Sequence, residues 1–360
     1  MAFSFSFTGD DIDVQQSASP VVATSPARGA FPIAGRPLLR PTNHDLAHLL
    51  SRLPSKVAYS CLDVTLDDGS LLRLPRRELW DVRLQLMAED DGVMEALGDH
   101  DVKTGVYEGG FKSWESSVDL VKVLAAQRPL ALTRHGRPAR IIEMGCGTAL
   151  PSLAAFKWAL EQGPDRVSSV TFILADYNPS VLQLVTLPNL LLVWALHNRQ
   201  AHRALHDALS VDNELKLRPD VLQAFVSDLS EHHITFFFVS GAWSQSFVQL
   251  VDDLPSAIPD KCATPPTTLI LGAETIYSPL ALEAFINTLL AILERESLKF
   301  RVDAAALVAA KMLYFGVGGS LSDFIETVVL RGVRAVMLRE AAEGVRRGVV
   351  HCVYRINGVA

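Results

Sequence analysis

Apolar residues follow two alternating periods through the second half of the chain. Short runs rich in β-branched residues predict strands, and apolar positions that recur every three or four residues predict helices between them. Asn178-Pro179 and Ser278-Pro279 mark two helix starts, since in each a capping side chain precedes proline at the first helical position. The predicted strands are 140–144, 170–175, 234–239, 268–271, 304–309, 335–339 and 349–356.

This alternation predicts an α/β fold of right-handed βαβ units, with a parallel sheet that helices cover on both faces. The last two strands are joined only by the polar linker 340–348, so we expect them to form an antiparallel hairpin. Five alternating units followed by a hairpin is the layout of the seven-stranded, Rossmann-like class I methyltransferase fold. We expect this domain over 111–358, with the long polar stretch 197–232 as a surface insertion.

The first part of the chain has a different pattern. Residues 1–45 interleave proline with serine, alanine and glycine, and no apolar period lasts, which predicts a disordered tail. Strand formers on both sides of Asp67-Asp68-Gly69 predict a hairpin over 57–74. A helical period over 78–97, with a break near residue 92, follows it. We expect residues 56–110 to form an N-terminal cap on the larger domain.

Composition narrows the class of protein. With 360 residues, of which 49% are apolar and 20% charged, the chain can bury a core without disulfide or metal support. A net charge of −7 argues against direct nucleic-acid binding and is compatible with a basic protein partner. The longest apolar run, 187–196, is far shorter than a membrane span, and the N-terminus does not have the pattern of a signal peptide. Four separated cysteines without a CxxC pair make a disulfide framework or zinc ribbon improbable. We therefore expect an intracellular protein with no membrane contact.

The strongest local motif is a buried strand that passes through Glu143 into the glycine turn Gly145-Cys146-Gly147. A Cβ atom at these glycines would collide with a ligand resting on the backbone. A dinucleotide-binding turn requires a small residue where Leu150 stands, which excludes a nicotinamide-dependent dehydrogenase. Glu143 supplies a carboxylate that can order the loop near the amino group of a bound methionine moiety. Cys146 is a small residue that the turn tolerates. The alternative is a strand-to-helix turn without a ligand.

Two further strand tips carry candidate cofactor residues. Asp176 follows the second strand, where a carboxylate can accept from both hydroxyls of a ribose, or can simply order the loop. Gly241, Ala242 and Trp243 follow the third strand, where backbone groups can bind the edge of an adenine and the indole can cover its face. The alternative for Trp243 is a place in the core.

The fourth strand leads to Glu274 and Tyr277, an acidic residue and an aromatic residue on the substrate side of the cofactor pocket. The carboxylate could align a nucleophile by hydrogen bonding, and the aromatic ring could exclude water from the site. Alternatively, Glu274 caps the helix at Pro279 or pairs with a lysine. Upstream, the loop 104–115 places Trp114 where its ring can face a sulfonium. Residues 314–319 are predicted to cover the substrate entrance as a lid. The alternative for both segments is a turn that only connects two elements.

Histidines at i,i+4 spacing occur twice, as His44/His48 and His202/His206. No third ligand accompanies either pair, and neither has the glutamate of a zinc-protease helix. Surface helices are the simpler interpretation, and we expect no metal site.

Together these residues resemble the eukaryotic histidine protein methyltransferase family, which modifies a histidine of the large-subunit ribosomal protein numbered three. The resemblance runs from about residue 56 to the C-terminus, and the opening FSFSFTGDD is similar to fungal members. DYN with VTLPN, and YFGVGG, are more specific than the glycine turn, which all class I methyltransferases share. The matching pieces are GVYEGGFKSWE (105–115), EMGCGTAL (143–150), DYN (176–178), VTLPN (185–189), SGAW (240–243), ETIY (274–277) and YFGVGG (314–319).

The resemblance implies S-adenosylmethionine as the cofactor and a basic large-subunit ribosomal protein as the substrate. We expect the protein to be a monomer and to act in the cytoplasm and the nucleus. Glu274 and Tyr277 are the candidate catalytic residues, and Glu274 would accept the N–H of the non-reacting ring nitrogen. No strong base is needed, because an imidazole with a pKa near ~6.5 is mostly neutral at pH 7. The expected cofactor contacts are Trp114, Glu115, Glu143, Gly145, Cys146, Gly147, Asp176, Tyr177, Asn178, Gly241, Ala242, Trp243 and Ala273.

Two alternatives remain open at this point. Protein-lysine methyltransferases of the same superfamily also carry an acidic residue and an aromatic residue in the ETIY arrangement, so this motif alone does not separate them. A non-catalytic ribosome-assembly factor with a cofactor-binding fold is the second alternative, although the intact Asp176 and Glu274 argue against it.

Overall fold

The computed structural model describes residues 38–89, 109–127, 138–164, 169–255, 267–300, 304–314, 319–342 and 344–354. Its strands are β1 (Thr42–His44), β2 (Lys56–Thr65), β3 (Leu71–Arg77), β4 (Ala139–Met144), β5 (Val170–Asp176), β6 (Glu214–Lys216), β7 (Ile234–Ser240), β8 (Thr267–Ala273), β9 (Ala305–Lys311), β10 (Val333–Ala341) and β11 (Arg347–Tyr354). Its helices are α1 (Leu46–Ser51), α2 (Leu79–Glu89), α3 (Glu115–Ala126), α4 (Leu150–Glu161), α5 (Pro179–His197), α6 (Arg203–Ala208), α7 (Pro219–Glu231), α8 (Gln245–Asp253), α9 (Pro279–Phe300) and α10 (Leu321–Leu330).

The large sheet has the strand order β1-β7-β5-β4-β8-β9-β11-β10. The central strands β7, β5, β4, β8 and β9 are parallel, and β11 is antiparallel to both of its neighbours, β9 and β10. The predicted seven-stranded class I fold with its antiparallel hairpin is therefore confirmed. Strands at the centre are apolar on both faces because helices cover both, and every residue of β4 is buried.

The sheet has an eighth strand, which corrects the prediction for the end of the tail. β1 pairs antiparallel with β7, with Thr42 opposite Ser240. Asp45 then caps α1 by accepting from the N–H of His48 at 2.9 Å, and Leu49 is buried. A polar strand of three residues is too short to show a period in the sequence. It forms because the edge of β7 is available for pairing. Disorder was the wrong prediction for 38–45, and residues 1–37 lie outside the described residues.

The predicted N-terminal hairpin is present as β2 and β3, joined at Asp67-Asp68-Gly69. β2 also pairs with β6, so the hairpin belongs to a three-stranded sheet. Helix α2 begins at Leu79, as the pattern predicts. The rest of the predicted cap, 90–108, lies outside the described residues.

The stretch 197–232 is integrated into the fold and is not a surface insertion as predicted. It forms α6, β6 and α7, and the side chains of Leu205, Leu215 and Phe225 are fully buried in the core that packs on the large sheet. His202 Nε2 lies 2.8 Å from Oδ2 of the buried Asp228. On α7, Val221, Phe225 and Leu229 recur every four residues and form one apolar face. The polar residues between them hid this face in the sequence.

Helix α5 has a mean hydropathy of 1.6 over a membrane-length window. By length and composition it suffices to cross a membrane, yet 83% of that window is buried within the protein. It opens with the predicted cap, since Asn178 Oδ1 accepts from the N–H of Ser180 at 3.0 Å. A π-helical turn over Leu182–Thr186 interrupts its α-helical hydrogen bonding. Such turns occur often at functional sites, and this one faces the glycine turn.

Candidate functional site

A cavity opens at the carboxyl ends of β4, β5, β7 and β8, the position where open α/β sheets bind ligands. It collects nearly all predicted site residues from across the sequence. Those that line it are Trp114, Glu143, Gly145, Cys146, Gly147, Asp176, Tyr177, Asn178, Gly241, Ala242, Trp243, Ala273, Glu274 and Tyr277. Glu115 is the exception, because its side chain is exposed at the start of α3 and does not line the cavity.

The glycine turn has the geometry that a backbone cradle needs. Gly145 and Gly147 both have positive φ, of 68° and 51°. A Cβ atom on Gly145 would lie 2.7 Å from Cγ2 of Thr275, and one on Gly147 would lie 3.0 Å from the carbonyl oxygen of Gly110. Cys146 is a packing residue, because burial raises the pKa of its thiol far above the ordinary value and keeps it protonated.

Asp176 both lines the cavity and orders the turn. Its Oδ2 accepts from the N–H of Gly147 at 3.0 Å, and its Oδ1 accepts from the N–H of Asn178 at 3.1 Å. A carboxylate oxygen can accept more than one hydrogen bond, and Asp176 lines the cavity, so ordering of the turn does not exclude contact with a ligand's hydroxyl groups. Both interpretations offered by the sequence, ligand contact and loop ordering, are therefore compatible with this geometry.

Glu143 is a buried carboxyl group at the floor of the cavity. Its Oε2 accepts from the main-chain N–H of Ser152 at 3.0 Å and also from the Ser152 hydroxyl. Burial nevertheless dominates and raises the pKa of Glu143 to about 8, and the nearby charge of Asp176 adds to the rise. A positively charged group placed beside this carboxyl would lower its pKa and pair with the ionised form.

The tip of β7 differs in detail from the expectation. The N–H of Gly241 donates to the carbonyl oxygens of Asp176 and Tyr177, at 3.1 and 3.2 Å. The N–H of Ala242 donates to the carbonyl oxygen of Leu39 at 3.0 Å. These two donors are used within the protein, so other backbone groups at this tip, such as carbonyl oxygens, would have to bind the edge of a base. Trp243 lines the cavity and also packs edge-on against Phe285, with ring centroids 5.4 Å apart.

Glu274 is held in place from two sides. Its Oε1 accepts from the Ser116 hydroxyl, and its Oε2 accepts from the Tyr314 hydroxyl. Its backbone lies in the left-handed region at φ 57°, a strained conformation for glutamate, and its N–H donates to Ala309. It does not cap α9, since Ser278 has that role through the N–H of Ala281. Residues 315–318 of the predicted lid lie outside the described residues.

Two lysines lie close to the ring of Trp114, at the mouth of the cavity. Lys112 Nζ is 5.5 Å and Lys311 Nζ is 5.6 Å from its centroid, and Lys311 is also 5.6 Å from the centroid of the Tyr314 ring. These distances allow cation–π attraction, so positive charge lies next to the aromatic rings of Trp114 and Tyr314. Lys311 and Ser116 had no signal in the sequence, because neither belongs to a motif that marks a site.

The motif 185–189 supports the glycine turn from behind, a role that sequence reasoning missed. Thr186 Oγ1 donates to the carbonyl oxygen of Gly147 at 2.7 Å. Asn189 Nδ2 donates to the carbonyl oxygen of Thr148 at 3.0 Å, and Asn189 Oδ1 accepts from the N–H of Arg77 at 2.7 Å. Thr186 and Asn189 of the TLPN motif therefore hold the backbone of the glycine turn in its conformation.

The cavity combines features that suit a small ligand with three different parts. Glu143 suits a cationic group, Asp176 suits hydroxyl groups, and Trp243 suits a flat ring. Within the part of the chain that the structure describes, no group of three or more potential metal ligands comes together.

No family model matches the chain. Histidine protein methyltransferase 1 of Saccharomyces cerevisiae is 33% identical to it over 360 residues, which cover 90% of this chain and 89% of the yeast protein. Histidine protein methyltransferase 1 of Schizosaccharomyces pombe is 34% identical over 285 residues, covering 78% of this chain and 74% of its own. The histidine protein methyltransferase 1 homolog of Bos taurus is 29% identical and covers 71% of this chain and 58% of its own.

Solved structures align less closely. The rRNA methyltransferase aviRa from Streptomyces viridochromogenes aligns with 68% of this chain and 89% of its own, at 12% identity and a TM-score of 0.35. Magnesium protoporphyrin IX methyltransferase from Synechocystis, solved with bound SAM, aligns with 67% of this chain at 11% identity and a TM-score of 0.32. Scores of this size add nothing to the sheet topology described above.

Proposed function

Because the chain belongs to the histidine protein methyltransferase family, we propose that it transfers one methyl group from S-adenosylmethionine to a histidine of the large-subunit ribosomal protein numbered three. The observation that carries the proposal is Glu274, a carboxylate fixed by Ser116 and Tyr314 at the wall of the cofactor cavity. The sequence resemblance over the ETIY, DYN–TLPN and YFGVGG motifs supports the choice of target.

The cavity fits S-adenosylmethionine by the chemistry of its walls. The glycine turn lines the cavity with backbone, Asp176 would hold the ribose hydroxyls, and Glu143 would hold the methionine amino group. Trp243 would lie against the adenine. The cofactor, when bound, supplies an electrophilic methyl group.

The protein's own residues orient the nucleophile and exclude water. Each oxygen of Glu274 accepts one hydrogen bond and has a further lone pair, so the carboxylate can accept the N–H of the imidazole nitrogen that does not react. This contact fixes the tautomer and balances the charge of the imidazolium that forms. Tyr277 and Trp114 line the same cavity and give the reacting groups an aromatic wall.

A histidine target needs no strong base, which agrees with a site built around a hydrogen-bond acceptor. Imidazole, with an ordinary pKa near ~6.5, is mostly neutral at pH 7, whereas a lysine amine must first lose a proton. The net charge of −7 favours a basic protein substrate. We propose the cytoplasm and the nucleus as the location, because a large-subunit ribosomal protein is made in the first and assembled in the second.

The test uses ribosomal protein from cells that lack this enzyme, incubated with the purified chain and labelled S-adenosylmethionine. We expect a single label on one histidine of the ribosomal protein, located by peptide sequencing. A Glu274→Gln variant serves as the matched control, because it keeps a side chain of the same size in the cavity. Label on a lysine would contradict the histidine assignment and would indicate a protein-lysine methyltransferase. Absence of label, with cofactor binding intact, would favour a non-catalytic assembly factor.

A further inference from the structure

The segment Leu38–His44, termed the strap below, lies across the carboxyl end of β7 beside the cofactor cavity. Its second half is β1, in which Thr42 pairs with Ser240. Its first half is attached by the carbonyl oxygen of Leu39, which accepts from the N–H of Ala242 at 3.0 Å. The strap therefore runs along the strand tip that carries Gly241, Ala242 and Trp243, which line the cavity.

The strap is packed closely against this tip. A Cβ atom on Gly241 would lie 2.7 Å from the carbonyl oxygen of Arg40 and 2.8 Å from Cα of Pro41, and Gly241 has φ 110°. His44 Nε2 lies 2.7 Å from the hydroxyl of Ser240. Only glycine at 241 allows this approach, so backbone and side-chain contacts together fix the position of the strap.

Leu38 brings the strap to the ligand space. It lines the cavity together with Tyr177 and Ala242, and it is 54% exposed although the residues that follow it are attached to the sheet. An apolar side chain held half-exposed at the rim of a binding cavity gains burial when a ring lies against it. The inference rests on the proposed function, in which Asp176 and Trp243 hold the ribose and the adenine, so their neighbour Leu38 lies at the adenosine end of the cavity.

We propose that the strap is a wall of the cofactor site, in which Leu38 packs against the adenosine part of the bound cofactor and slows its release. The contact is remote from Glu274 and from the aromatic wall where transfer takes place. It therefore acts equally on S-adenosylmethionine and on the demethylated product, S-adenosylhomocysteine, which carry the same adenosine. It therefore contributes to the affinity for both compounds by the same factor.

The first test measures the Kd of both compounds by calorimetry for the full-length wild type and Leu38→Ala. Loss of a partly buried leucine contact should weaken both affinities by the same factor, about 3- to 15-fold. Leu71→Ala is the matched control, since Leu71 is 61% exposed on β3 and does not line the cavity. Equal affinities in wild type and Leu38→Ala, at unchanged thermal stability, would overturn the proposal.

A second measurement needs no variant. Hydrogen exchange of the strap amides in the wild type should slow by at least about threefold when S-adenosylhomocysteine is bound, because the ligand holds the strap on the sheet. Exchange of the β2–β3 hairpin amides provides the internal reference and should not change. Strap exchange that is equal with and without the ligand would also contradict the proposal.

Discussion

Glu143 shows how the protonation of a single buried residue can be coupled to ligand binding. It lies at the end of β4, where every neighbouring residue is buried, and desolvation raises its pKa to about 8 despite the two hydrogen bonds from Ser152. At neutral pH the carboxyl group is therefore mostly protonated in the empty protein. A ligand ammonium group reverses this preference by pairing with the ionised form.

The first prediction concerns stability without cofactor. Because the folded pKa of Glu143 lies above the ordinary 4.5, its contribution is present below pH 4.5 and is lost as the pH rises toward 8. Glu143→Gln, which cannot ionise, should stabilise the empty protein at pH 8 by about 2 to 4 kcal/mol, and this gain should vanish near pH 4.5. Denaturant unfolding at several pH values measures it, and a gain that is constant with pH would contradict the assignment.

The second prediction concerns Asp176. Asp176→Ala should weaken S-adenosylmethionine binding by about 1.5 to 3 kcal/mol, because it would remove the proposed hydrogen bonds to the ribose as well as the hydrogen bond that orders Gly147. Asp68→Ala is the matched control, since Asp68 makes a similar bond to the N–H of Ser70 in an exposed turn. If calorimetry shows equal losses in the two variants, the ribose is held elsewhere.

At the scale of elements, the sequence predicts those structures whose burial is written into local periodicity. The ends of the described parallel strands lie within two residues of the predictions, because central strands are continuous apolar runs between helices. The strand β1 could not be predicted in this way, since its three residues pair with an edge that is distant in sequence. The sequence also does not show that the side chain of Glu115, a predicted cofactor contact, is exposed to solvent. The adjacent Trp114 lines the cavity.

The third prediction concerns helix α5 and the turn that it supports. Asn189→Ala should cost about 2 to 4 kcal/mol of unfolding free energy, because the buried N–H of Arg77 and carbonyl of Thr148 both lose their partner. It should also weaken cofactor binding, since the glycine turn is released. Gln249→Ala, on the surface of α8, should cost less than about 0.5 kcal/mol. Similar losses measured for the two variants by denaturant unfolding would rule out this role for Asn189.

At the scale of the whole molecule, remote parts of the chain meet to position the transfer site. Arg347 Nε donates to Asp119 Oδ2 at 2.8 Å, which ties the C-terminal hairpin to α3. Arg339 reaches Asp67 in the turn of the N-terminal hairpin at 2.7 Å. Helix α3 in turn carries Ser116 to Glu274. Motifs predict the residues of the cavity, but these long-range pairs have no local pattern and required the folded structure.

The central claim is that Glu274 orients a neutral imidazole and balances the charge that forms on it, and the pH dependence of transfer tests it most directly. The rate on the ribosomal protein should fall below about pH 6.5, as the target histidine protonates, and should be level above neutral pH. Glu274→Gln should bind cofactor as the wild type does and lower kcat by about 100-fold on that plateau. A rate that still climbs above pH 8, or a Glu274→Gln variant with wild-type kcat, would contradict the account.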